Sequence, residues 1–168
     1  IALVAPFGLR AKGTTRARAL PLARELARRG HTVAVFVPPY DSPEDSGRRW
    51  VDQSVDVINL ALPRLGQNSA AWHLWLGWRL FHAVRAWQPD VAHVFKPKGP
   101  SGLAGVLLWI TRYKTKDEGQ TTKESVVRPA SLVVDSDDWE GAGGWNDDPR
   151  AHYSRLQRRF FAWQERYG

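Results

Sequence analysis

The sequence contains no cysteine and no methionine in 168 residues. Without cysteine the chain has no disulfide framework, no thiolate zinc site and no thiol nucleophile, which fits a reducing compartment. Long hydrophobic runs are also lacking, because the longest one, residues 102–110, is far below the ~20 residues of a membrane-spanning helix. The missing methionine and a first residue, Ile1, that already lies in an apolar run predict a piece of a longer chain.

What the sequence does have is positive charge, distributed unevenly along a chain with a net charge of +7. Residues 10–29 contain seven basic residues and one acidic residue, whereas residues 135–148 contain six acidic residues and no basic one. A positive net charge attracts phosphate-bearing ligands, anionic membranes or nucleic acid. The separate acidic cluster disfavours a uniform duplex-binding face, so we expect no nucleic-acid partner.

Apolar runs rich in β-branched residues alternate along the chain with segments of helical periodicity. The runs predict five strands: Ile1–Phe7, Thr32–Val37, Val55–Leu60, Val91–Phe95 and Leu132–Val134. The periodic segments predict four helices: Thr15–Arg29, Ser69–Trp87, Ser101–Tyr113 and Ala151–Tyr167. This alternation is typical of an α/β fold with a Rossmann-like, doubly wound, mainly parallel sheet, here over residues 1–168. Residues 114–128, which have almost no apolar content, are expected to form an exposed loop.

The predicted helix at Ser69–Trp87 has two different faces. The core face is expected to hold Leu76, Leu80, Ala83, Val84 and Trp87. Another side is expected to hold Trp72, Trp75, Arg79 and His82. Tryptophan beside arginine suits a membrane interface, a partner domain or a half-buried helix, so peripheral contact with an anionic membrane stays an open expectation.

Ligands of doubly wound sheets bind beyond the carboxyl ends of the strands, and the first such loop resembles a phosphate-binding motif. Residues 8–15 nearly match G-x-x-x-x-G-K-[ST], but Thr14 replaces the lysine that the mechanism needs, which disfavours an NTPase. Gly13 still allows close backbone approach, and Thr14 opens a helix whose amide end favours an anion. Lys12, Gly13 and Thr14 therefore form either a substrate-phosphate site or a plain turn with a helix cap.

The fourth predicted strand ends in a pair of lysines. Lys96 and Lys98 flank a proline just before a helix, and such a position suits the oxygens of an anionic ligand. His93 lies inside the strand, where it is either an acid–base group or a core histidine.

The fifth predicted strand runs into a dense acidic segment that contains Asp135, Asp137, Asp138, Trp139 and Glu140. Carboxylates at a strand end hold a divalent cation, accept sugar hydroxyl protons or act as a base, and an indole face packs on sugar C–H bonds. The alternative is an acidic surface turn with the tryptophan in the core. We favour a site in which Asp137 and Asp138 are catalytic and Asp135, Trp139 and Glu140 bind substrate.

The order and spacing of four segments resemble the N-terminal, acceptor-side domain of GT-B fold glycosyltransferases of the family four (group 1) type. The segments are IALVAPF, ALPLARELARRGHTVAVFVPP, PDVAHVF and VVDSDDWEGAGGWND. The resemblance implies a hexosyltransferase that moves a sugar from a nucleotide-sugar donor to a hydroxyl-bearing glycan or lipid-linked acceptor. We expect it to be cytoplasmic, with peripheral contact with an anionic membrane as an open expectation. It implies no cofactor and no metal. The donor-binding C-terminal domain is expected to be missing from these residues, and the piece alone is expected to be inactive.

Matched residue by residue, the resemblance places His93 at the first histidine of the P-D-V-[VI]-H-x-H strand of this family. Lys12 and Gly13 stand at the paired glycines that approach the donor diphosphate in relatives. Phe95 stands where relatives often carry the second histidine. Its role here falls to Lys96, to Asp137 or to no residue.

Two other interpretations remain open. In the first, Asp135 and Asp137 are the metal-binding D-x-D of a GT-A type glycosyltransferase, which would depend on manganese. In the second, the chain is a non-enzymatic, Rossmann-like module that binds anions or membranes.

Overall fold

The computed structural model describes residues 1–9, 13–63, 69–117, 131–136 and 154–167. Six of its strands form one sheet: β1 (Ala2–Val4), β2 (Val33–Val37), β3 (Arg49–Asp52), β4 (Val55–Asn59), β5 (Val91–Phe95) and β6 (Ser131–Asp135). Their order across the sheet is β3-β4-β2-β1-β5-β6. Neighbouring strands are parallel except β3, which is antiparallel to β4. The Rossmann-like, mainly parallel sheet that the sequence predicts is confirmed.

Helices follow the parallel strands on both faces of the sheet. They are a π-helical turn at Thr15–Ala19 that leads into α1 (Leu20–Arg28), a 3-10 turn at Pro43–Asp45, α2 (Ala70–Trp87), α3 (Gly99–Asp117) and α4 (Arg155–Tyr167). Gly30 follows α1 with φ +90°, a left-handed conformation that glycine adopts without a Cβ penalty. The Ser69 hydroxyl caps α2 by accepting from the Trp72 backbone N–H at 3.2 Å. None of the described helices combines the length and the apolar character needed to cross a membrane.

The side chains of the strands alternate between two buried layers. One layer packs Leu3, Val35 and Phe95 against α1. The other packs Val4, Phe36 and Val94 against α2 and α3. Gly77 lets α2 approach α3 closely, because a Cβ at this position would lie 2.8 Å from a methyl of Leu103. The two core layers therefore arise because successive side chains of each strand point to opposite faces of the sheet.

β1 lies at the centre of the sheet, and the chain changes direction there. Leu3 pairs with Val35 of β2 on one side and with His93 of β5 on the other. The connection through α1 leads toward β2, whereas α3 follows β5 on the opposite face. This is the arrangement in which the loops after two adjacent strands separate and leave a crevice at the carboxyl edge of the sheet.

The edge strand β3 is not among the predicted strands, because residues 38–54 read as a polar loop. Arg49–Asp52 instead forms a hairpin with β4. Its turn consists of Gln53 and Ser54, with φ +49° and +68°, the conformation of a type I′ turn. The usual signal for that turn is Asn-Gly or Asp-Gly, and Gln-Ser does not give it.

Two other predictions are wrong in part. Residues 114–117, expected in the exposed loop, are the last residues of α3, and residues 118–128 lie outside the described residues. Trp72 was expected on the same side of α2 as Trp75, but only 3% of it is exposed and it belongs to the core. The aromatic edge of Trp72 packs against Tyr40, with ring centroids 6.1 Å apart, so the loop after β2 covers the first turn of α2.

Candidate functional site

The loop after β1 folds back on itself before the helix begins. The Gly8 N–H donates to Oδ1 of Asp41 at 2.6 Å, and the Thr15 hydroxyl donates to the carbonyl of Phe7 at 2.8 Å. A Cβ at Gly13 would lie 2.5 Å from Cε2 of Phe7, closer than real Cβ atoms approach. A side chain at residue 13 would therefore require the Phe7 ring to shift. The loop brings the start of the helical segment to the carboxyl edge of the sheet.

The loop after β5 is a tight turn stabilised by backbone groups. The Lys96 N–H donates to the carbonyl of Asp135 at 2.7 Å, and the Lys98 N–H donates to the carbonyl of Lys96 at 2.6 Å. The Ser101 hydroxyl lies 2.8 Å from the Lys96 carbonyl and 3.0 Å from that of Lys98. Lys96 has φ +50°, a left-handed conformation that costs a non-glycine residue about 1–3 kcal/mol and that clusters at functional sites.

A charged cluster lies where β5 and β6 end. Nη2 of Arg18, from the first helical turn, donates to both carboxylate oxygens of Asp135, at 2.8 and 2.9 Å. Oδ2 of the same carboxylate lies 3.9 Å from Nε2 of His93. The three side chains join the start of the first helical segment to two neighbouring strands.

His93 is a largely buried imidazole in this cluster. Burial lowers the pKa of His93 from its ordinary value, and the nearby guanidinium of Arg18 lowers it further, while the carboxylate of Asp135 raises it. The ring stacks on Phe95, with centroids 4.3 Å apart and planes 14° apart. Nε2 is buried without a hydrogen-bond partner among the described residues. At neutral pH the ring is therefore uncharged, and the 3.9 Å contact with Asp135 is not an ion pair.

The crevice suits an anion on one side and a hydroxyl on the other. The N-terminal amides of the helical segments after β1 and β5 both lie at this edge, and helix N-termini favour negative charge. Lys96 and Lys98 lie on the second of these loops. The Asp135 carboxylate and the neutral imidazole of His93 are groups that bond a hydroxyl. Because Arg18 already neutralises Asp135, this carboxylate is a weaker cation ligand than an unpaired one.

The structure brings together several predicted site residues. His93, Lys96, Lys98 and Asp135 lie on adjoining strand ends, and Gly13 and Thr14 belong to the loop beyond β1. Thr14 is 9% exposed, so little of this residue is accessible to a ligand. The remaining predicted residues lie outside the described residues: Lys12, Asp137, Asp138, Trp139 and Glu140.

Sequence reasoning did not find the roles of Arg18 and Asp41. Both are distant in sequence from their partners, Asp135 and Gly8. The only sequence signal for Arg18 was the excess of basic residues in residues 10–29, which does not distinguish one arginine from another.

The lowered pKa of His93 predicts a stability that falls with acidification. Below the ordinary histidine pKa of 6.5 the unfolded chain binds more protons than the folded one, so the free energy of unfolding decreases as pH falls from 7 toward 5. The pKa of His73 is also lowered by burial and contributes in the same direction. Hydrogen bonds from Arg28 and Arg29 lower the pKa of Glu25 to about 2. The contribution of Glu25 to stability is therefore lost only as the pH falls below its ordinary pKa of 4.5.

Urea unfolding at pH 7, 6 and 5 measures this dependence. His93→Gln and His73→Gln should each reduce the slope of the free energy of unfolding against pH. The reduction is at most about 1.4 kcal/mol per pH unit for one proton. His31→Gln, at an exposed position, is the control. Equal slopes in all four proteins would contradict the assignment of His93 as a buried, neutral imidazole.

Comparison with known proteins gives one match. Residues 13–168 match the model of the family described as glycosyl transferase 4-like domain. No curated protein and no solved structure matches the chain. The matched segment includes the described site residues from Gly13 to Asp135, whereas Phe7 and Gly8 precede it. The chain belongs to the glycosyl transferase 4-like domain family and is a glycosyltransferase domain with a Rossmann-like fold.

Proposed function

We propose that this domain is the acceptor-side half of a GT-B type enzyme that transfers a hexosyl group from a nucleotide sugar to a hydroxyl-bearing acceptor. The observation that carries the proposal is the adjacency of β1 and β5, whose following helices pack on opposite faces of the sheet. The resulting crevice has helix N-termini on its two flanks, a pair of lysines and a carboxylate–imidazole contact. A second domain that holds most of the donor would close over it.

In the transfer step, the acceptor oxygen bonds to the anomeric carbon while the bond from that carbon to the leaving diphosphate breaks. The electron pair of the broken bond stays on the diphosphate, and the proton of the acceptor hydroxyl passes to a base. Lys96, Lys98 and the amides near Gly13 and Thr14 favour the charge that develops on the diphosphate. Lys12, in the same loop, is a further donor-side candidate from the sequence.

His93 is a candidate base in this proposal, because its ring is neutral at physiological pH and its Nε2 faces Asp135. Asp137 and Asp138 are the other candidates for the acid–base step, and Trp139 and Glu140 are candidates for contacts with the acceptor. Asp135 orients Arg18 and accepts a hydrogen bond from an acceptor hydroxyl. The acceptor is a glycan or a lipid-linked molecule.

We place the enzyme in the cytoplasm, in peripheral contact with an anionic membrane. The exposed side of α2 supports this placement, since Trp75 is exposed and carries the Arg79 guanidinium 5.2 Å from its ring centroid. Basic residues near an anionic surface contribute about 1 kcal/mol each.

A transfer assay on the purified protein that carries this domain tests the proposal. We expect sugar transfer from at least one nucleotide sugar, with a rate that a chelator leaves unchanged, because side chains and helix ends stabilise the diphosphate. Activity that disappears with the chelator and returns with manganese would instead support a D-x-D enzyme built on Asp135 and Asp137. Absence of transfer from every common nucleotide sugar would favour the non-enzymatic binding module.

A further inference from the structure

A second cavity lies on the other half of the sheet, between the hairpin of β3 and β4 and the middle of α2. It has a volume of about 470 Å³, and its lining includes Arg49, Asn59, Trp78, Arg79 and His82. β4 is two strands from β1, a lateral distance of about 10 Å. The cavity is thus separate from the crevice between the loops after β1 and β5.

The charged groups around this cavity are positive. Arg49 and Arg79 extend from β3 and α2, and neither forms an ion pair with a described residue. Among the residues that the structure describes, no acidic one lines the cavity. The adjoining cavity of about 420 Å³, which shares Arg49 with it, includes one carboxylate, that of Asp56. Two arginines in one lining, Arg49 on the hairpin and Arg79 on α2, favour an anionic ligand, since a guanidinium presents several N–H donors to phosphate or carboxylate oxygens. The Arg79 guanidinium lies 5.2 Å from the centroid of the Trp75 ring, so it would turn from that ring to meet the ligand.

A buried amide oxygen in the cavity lining lacks a hydrogen-bond partner among the described residues. Asn59 is only 3% exposed, and its Nδ2 donates to the carbonyl of Arg48 at 3.3 Å. Its Oδ1 is buried and has no partner among the described residues. A buried acceptor left without a donor destabilises the folded protein. A ligand hydroxyl in the cavity would supply that donor.

An indole forms part of the rim. Trp78 is 50% exposed, and its ring meets that of His82 edge-on, with centroids 4.3 Å apart. The face of an exposed indole packs on the apolar C–H surface of a sugar ring. The cavity therefore combines an apolar platform, a hydroxyl acceptor and two cations, and its volume lies in the range of small-molecule binding sites.

We propose that this cavity binds an anionic sugar, with its phosphate or carboxylate between Arg49 and Arg79 and a hydroxyl on Oδ1 of Asn59. The proposal does not depend on the transfer reaction assigned above. It identifies the ligand by its chemistry, and the test separates a sugar phosphate from a sugar acid.

Binding to the 168-residue chain is measured by calorimetry with glucose 6-phosphate, glucuronate, glucose and inorganic phosphate as probes. We expect at least one of the two anionic sugars to bind at least tenfold more tightly than glucose and than phosphate alone. Arg49→Gln and Arg79→Gln should each weaken that binding at least fivefold, and Asn59→Leu should also weaken it. Arg85→Gln, on the same helix but outside the cavity lining, is the matched control and should bind as the parent chain does.

Thermal unfolding of each variant shows whether it is folded, and the two arginine variants keep the test decisive if Asn59→Leu does not fold. Absence of binding by both anionic sugars at millimolar concentration would overturn the proposal. An affinity for inorganic phosphate as high as that for the tighter-binding anionic sugar would also overturn it, because charge alone would then explain binding. An Arg85→Gln variant that binds as weakly as the Arg79→Gln variant would place the ligand elsewhere.

Discussion

Replacing Leu76 with alanine is expected to lower the free energy of unfolding by about 3 kcal/mol. Leu76 is 0% exposed and packs in the layer between α2 and the sheet with Val4, Phe36 and Val94. Truncation removes buried methyl groups and leaves a cavity in a layer that closes only partly around it. In a chain of this length, the loss corresponds to a melting temperature lower by about 6–12 °C.

Leu74→Ala is the matched control, because Leu74 lies on the same helix but is 50% exposed. Its expected effect is within about 0.5 kcal/mol. Urea unfolding of both variants gives the comparison. Similar losses for the two variants would mean that α2 presents another face to the sheet, and the position of the second cavity would have to be revised with it.

The sequence was sufficient to predict the parallel sheet because its central strands, β1 and β2, are buried on both faces. Val33–Val37 is entirely buried, and such a strand appears as an uninterrupted apolar run rather than as an alternating one. Val91–Phe95 was predicted with the bounds that the structure has, since Pro89 and Pro97 bracket an apolar run. Right-handed crossovers then leave few alternatives for the order of strands.

The elements that sequence reasoning missed depend on contacts between distant residues. Arg49–Asp52 is a strand only because β4 offers it a free edge, and its own side chains are mostly exposed. Trp72 is buried because the loop after β2 brings Tyr40 onto it, which periodicity within α2 does not show. A helical wheel gives the position of a residue around its own helix, but not what covers that position.

The candidate site was predictable in place but not in detail. His93, Lys96 and Asp135 were selected as candidates because they lie in or just after predicted strands. Ligands of doubly wound sheets bind beyond the carboxyl ends of these strands. The ion pair of Asp135 with Arg18 joins residues that are far apart in sequence, so no local motif predicts it. It also changes the chemistry, since a carboxylate neutralised by arginine acts more readily as a hydrogen-bond acceptor than as a metal ligand.

The central claim is that sugar transfer takes place at this carboxyl edge, and two similar ion pairs allow a direct test. Arg18–Asp135 spans 2.8 Å, with 43% and 20% of the two side chains exposed, and Arg24–Asp52 spans 2.7 Å, with 36% and 22% exposed. Asp135 is the last residue of β6 and lies at the carboxyl edge of the sheet. Asp52 pairs with Val55, the first residue of β4, and therefore lies at the amino edge. Partly exposed pairs of this kind contribute about 0–1 kcal/mol to stability, so Asp135→Asn and Asp52→Asn should affect folding equally little.

The decisive measurement is kcat/KM for sugar transfer by the protein that carries this domain, with each of the two aspartates replaced in turn. We predict that Asp135→Asn lowers kcat/KM at least tenfold, about 1.4 kcal/mol of transition-state stabilisation, because the acceptor loses a carboxylate and Arg18 loses its partner. We predict that Asp52→Asn stays within twofold of the parent protein. Unchanged transfer in the Asp135→Asn variant, or equal losses in both variants, would contradict a reaction site at the ends of β1, β5 and β6.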